Sequence, residues 1–63
     1  DKEMIRTIRT YIKLNRNASM AAKELYVHRN SLQYRIDKFI EKTGLDIRNF
    51  YDAMIAYLAI TIL

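Results

Sequence analysis

The sequence predicts an all-α fold, and three observations carry that expectation. Its 63 residues include no proline and a single glycine, so the turn residues of a multi-stranded sheet are missing, while Lys, Arg, Ala, Leu, Met and Ile are plentiful. Apolar residues recur at helical spacing in successive segments. The chain also has no cysteine, which removes disulfides and thiolate metal sites and leaves a small hydrophobic core to hold the fold. Together these describe one domain over residues 1–63, built as a small four-helix unit with helices at about 2–15, 20–25, 29–43 and 50–63.

The first helix rests on Met4, Ile5, Ile8, Tyr11 and Ile12, with Asp1 placed to cap its free amides and to favour the positive end of its dipole. Lys2, Arg6, Arg9, Lys13 and Arg16 fall within about 80° of one another at the helical advance per residue, so a basic stripe borders the apolar one. The helix is expected to end near Asn15-Arg16-Asn17, because Asn tolerates the left-handed conformation that closes helices. Ser19 is the expected N-cap of a short second helix, marked by the small residues Ala18, Ala21 and Ala22. A break near Tyr26 follows. Leu32, Ile36, Phe39 and Ile40 then define a third helix that starts around His28 to Ser31 and stops at Gly44. Asn49, with Asp52 three residues on, opens the last helix. No charged residue follows Asp52, so this helix is expected to bury one side on Ile8, Tyr11 and Ile12 and to turn the other, with Ile60 and Leu63, toward a partner.

A short alanine-bearing helix, a three-residue turn and a second helix with an apolar i, i+4 pair form the plan of a helix-turn-helix, for which Ala22, Leu25, Val27, Leu32 and Ile36 supply the packing. Between those apolar positions lie side chains suited to reading or gripping a duplex. Arg29 can pair bidentately with guanine, Asn30 or Gln33 with adenine, and Ser31, Tyr34, Arg35 and Lys38 can hold phosphates. The net charge of +4 fits a polyanionic partner. Tyr26 stands at the turn position where many helix-turn-helix units have Gly, which demands either a different turn or a ring packed well enough to offset the strain.

The run VHRNSLQYRIDKFIEKTGLDI resembles the C-terminal helix-turn-helix of PucR/CdaR-type bacterial transcription regulators, and its centre resembles the Fis-type helix-turn-helix more widely. The resemblance covers essentially the whole chain. It implies sequence-specific binding of double-stranded DNA, with His28, Arg29, Ser31 and Gln33 facing bases or phosphates and Tyr34 and Arg35 contacting the backbone. It also implies a cytoplasmic protein with an N-terminal sensor domain. The start at Asp1 rather than Met fits a domain of such a longer regulator.

Other classes fit less well. A lone histidine, no cysteine and no paired carboxylates argue against an enzyme or a metal site, and no cofactor is expected. His28 is ordinarily a helix cap. No run approaches the roughly 20 apolar residues that span a bilayer, and no membrane partner is expected. The competing expectation is a helical dimerisation or interaction module without direct DNA contact. It draws on the uncharged segment after Asp52, and under either expectation residues about 50–63 form a homodimer or dock on an absent N-terminal sensor domain.

Overall fold

A computed structural model describes all 63 residues and contains α1 (Lys2–Lys13), α2 (Ala18–Leu25), α3 (Arg29–Thr43) and α4 (Phe50–Thr61). Each helix starts on a side chain that accepts from its free amides. Asp1 receives the N–H groups of Glu3 and Met4, His28 Nδ1 receives that of Asn30 at 3.1 Å, and Asn49 receives those of Tyr51 and Asp52. These three caps agree with the sequence reading.

The second helix corrects it. Its cap is Asn17, whose side chain accepts from Met20 N at 3.0 Å, and Ser19 lies inside the first turn. Asn17 is available because α1 stops at Lys13, two residues short of the expected end, and the chain turns through left-handed Asn15 and Arg16, both at φ 59°. The extended backbone of Asn17 then suits an N-cap, and Ala18 begins the helix. Gly44, at φ 76°, closes α3 as expected.

Helix α1 is the hub: its backbone runs close to those of α2, α3 and α4, and α2 runs close to α3. Ile8 and Tyr11 of α1, Ala21, Ala22 and Leu25 of α2, Leu32, Ile36 and Phe39 of α3, and Ala53, Ala56 and Ile60 of α4 share one core. The alanines let the helix axes approach closely. Ile47, in the loop before α4, is fully buried in that core. Thr7 is buried too, donating to the Glu3 carbonyl at 2.8 Å. Ile60 therefore belongs to the interior and not to the outward side of α4. Its outward side carries Phe50, Tyr51, Met54, Ile55 and Leu58, all exposed, and Leu63 is exposed beyond the helix end.

Candidate nucleic-acid interface

The unit that would meet a duplex is α2, its turn and α3. Tyr26 adopts the left-handed conformation at φ 57° and ψ 41°, and its N–H reaches Lys23 O while the N–H of Val27 reaches Ala22 O at 3.0 Å. The turn is thus the ordinary left-handed one. Its strain is not offset by ring packing, because Tyr26 is 92% exposed. Half-buried Val27 packs against the core, and extended His28 launches α3.

On α3 the fully buried Leu32 and Ile36 fix which side faces out. At 100° per residue, Asn30, Ser31, Tyr34 and Lys38 lie across the opposite side. Asn30, Ser31 and Tyr34 are exposed, as are His28 and Arg29 at the helix start, and Lys38 is about half exposed. The ammonium of Lys38 sits 5.6 Å from the centre of the Tyr34 ring and 3.9 Å from Glu41. Asn30, Ser31, Tyr34 and Lys38 form the outward surface of α3 and share it with exposed Asp37 and Glu41, whereas His28 and Arg29 are exposed because they stand at its open start, Arg29 on the side nearer Leu32 and Ile36.

Gln33 and Arg35 flank that surface and are engaged within the domain. Arg35 Nη1 donates to Glu3 Oε1 at 2.7 Å and to Thr7 Oγ1 at 3.1 Å, tying α3 to α1. On the other flank Gln33 Oε1 accepts from Arg48 Nη2 at 2.7 Å, and the same nitrogen reaches Asp37 Oδ1 at 3.0 Å. A helix held on both sides presents its outer face with little freedom to rotate.

The residue that sequence reasoning passed over is Arg48. Its N–H donates to Asp46 Oδ1 at 3.0 Å and its carbonyl accepts from Arg16 Nη1 at 2.8 Å, so the loop pins its backbone while its side chain reaches α3. No helical periodicity places residue 48 beside residues 33 and 37. The Asp46 N–H, bonded to Asp52 Oδ2 at 2.9 Å, shows the same loop fastened to the first turn of α4.

Residues 4–62 match the PucR C-terminal helix-turn-helix domain. The chain belongs to that family. Among relatives of this PucR-type domain are the protein YxkF of Bacillus subtilis, 51% identical over 90% of this chain, and the carbohydrate diacid regulator of Escherichia coli, 38% identical over 87% of it. The proline-responsive transcriptional activator PutR of Bacillus subtilis is 35% identical over 76% of the chain. The PucR-type domain spans only a small part of these proteins, 19%, 14% and 12% of their respective lengths. No solved structure gives a significant match. The family and the four-helix architecture expected from sequence are thereby established. No helix in the domain is long and apolar enough to cross a membrane.

Proposed function

We propose that this domain binds double-stranded DNA sequence-specifically, as the C-terminal part of a longer bacterial transcription regulator, with the N-terminal half of α3 in the major groove. One observation carries the reading: the outward surface of α3 holds Asn30, Ser31 and Tyr34 exposed, with Arg29 exposed at the open helix start beside them, while Leu32 and Ile36 fix the orientation of the helix from beneath. A helix N-terminus enters the groove first, and its dipole attracts phosphate. Arg29 then reads guanine, Asn30 reads adenine, Gln33 brings its amide to a base edge at the flank of the helix, and His28, Ser31, Tyr34 and Lys38 grip the backbone. Arg35, bonded through Nη1 to Glu3 and Thr7, braces the helix against α1. The duplex puts the protein in the cytoplasm, and the names of the relatives, regulators and an activator, support a regulatory rather than an enzymatic role.

A salt titration tests the reading. Neutralising phosphates releases counterions, so affinity for a duplex selected from random sequence is expected to fall steeply and linearly on logarithmic axes as salt rises. Binding that is absent at low salt, or indifferent to salt, contradicts it.

A second reading has its own observation. Phe50, Met54 and Leu58 line an open groove of about 420 Å³ between the end of α1 and α4, beside exposed Tyr51 and Ile55. Apolar surface of this kind marks interfaces. It supports a homodimer through α4, which would offer two α3 helices to successive major grooves, or docking on an N-terminal sensor domain.

A further inference from the structure

We propose that Arg48 sets the base preference of the domain through Gln33, an inference that rests on the DNA-binding reading above. The Gln33 carbonyl oxygen is held by Arg48, so only the Gln33 amino group is free for a base edge. It selects an acceptor edge, guanine O6/N7 or thymine O4, and loses the bidentate pairing with adenine.

The chemistry follows from the donor inventory. A guanidinium carries only donors, so the amide must turn its oxygen toward Arg48 and its NH2 away. The contact is short, at 2.7 Å, and the same guanidinium nitrogen is anchored 3.0 Å from Asp37. The Arg48 backbone is itself fixed, through Asp46 Oδ1 on its N–H and Arg16 on its carbonyl. A Gln reading adenine needs both ends of its amide, the oxygen accepting from N6 and the nitrogen donating to N7. Using the remaining lone pair of Oε1 would bring the adenine amino group, itself a donor, beside a positive guanidinium. Guanine O6 and thymine O4 are acceptors where adenine has its N6 amino group, so they meet no such conflict, and adenine keeps only its single N7 acceptor for the Gln33 amino group.

Arg48 also covers Asp37, which otherwise turns a negative charge toward phosphate. Removing Arg48 alone would therefore weaken binding to every sequence and blur the test. The informative variant is Asp37→Asn/Arg48→Ala, which frees Gln33 without exposing a carboxylate. Both residues are exposed, and circular dichroism checks that the helices persist.

Duplexes are selected from random sequence with the parent chain, with Gln33→Ala and with the double variant. In the parent, the base pair whose preference disappears in Gln33→Ala is expected to present guanine or thymine to the protein. In the double variant that position is expected to shift toward adenine by about fivefold or more, the lower range for one bidentate contact. A second readout needs no DNA: the side-chain NH2 resonances of Gln33 are expected to move between parent and Arg48→Ala. Adenine at the Gln33-dependent position of the parent, no shift in the double variant, or unmoved Gln33 resonances each overturn the inference while leaving DNA binding intact. A parent chain that enriches no duplex overturns both.

Discussion

Tyr26 holds a left-handed backbone at φ 57° with its ring in solvent, a conformation that strains any residue with a Cβ. Tyr26→Gly is therefore expected to stabilise the domain by about 1 kcal/mol, the relief of strain exceeding the added chain entropy; thermal unfolding measures it, and a lower midpoint would show that the Tyr side chain contributes something the exposed ring does not suggest. Arg29→Ala is expected to weaken binding to a selected duplex by about 1–3 kcal/mol and to relax preference at one base pair, as a lost bidentate contact does. Uniform weakening across sequences, read in a competition assay, would reassign Arg29 to the backbone. At this scale the sequence revealed the kinds of side chain and little of their partners. Arg35 and Gln33 carry the right chemistry for DNA, yet each is claimed by a residue distant in the chain, Glu3 and Arg48, and no local pattern encodes such pairs.

Among the elements, helix caps were the most legible feature, because a cap is decided within three residues. Asp1, His28, Asn49 and Gly44 act as their positions imply. Asn17 displaced Ser19 because both are good caps and the choice fell to where α1 ends, which depends on left-handed Asn15 and Arg16. Asn17→Ala is accordingly expected to cost about 1 kcal/mol, whereas Ser19→Ala, inside the first turn, should cost almost nothing; chemical denaturation of the two variants distinguishes the caps. The phase of α3 was also readable, since Leu32 and Ile36 at i, i+4 define its buried side. Leu32→Ala and Ile36→Ala should each cost about 2–5 kcal/mol, enough to unfold a domain of this size. A variant that melts like the parent but no longer binds DNA would rotate the assigned helix face.

For the molecule as a whole, all-α class, helix count and the docking of α4 on α1 follow from composition and periodicity, but Ile47 does not. It lies outside every helix, and its complete burial depends on how the loop folds back between Asp46 and Asn49. Ile60 likewise shows that an evenly apolar helix hides its own phase: with no charges after Asp52, periodicity cannot tell its buried side from its free one. The free side carries Leu58, and Leu58→Glu is expected to abolish self-association at high micromolar concentration in sedimentation while leaving the helical signal unchanged; a parent chain that is monomeric under those conditions would exclude a dimer through α4. The central claim, that the start of α3 is the surface that meets DNA, is tested most directly by following backbone amide resonances as a selected duplex is added. The account predicts that the largest changes fall on residues 28–38. Changes concentrated on α4, with residues 28–38 unmoved, would contradict it.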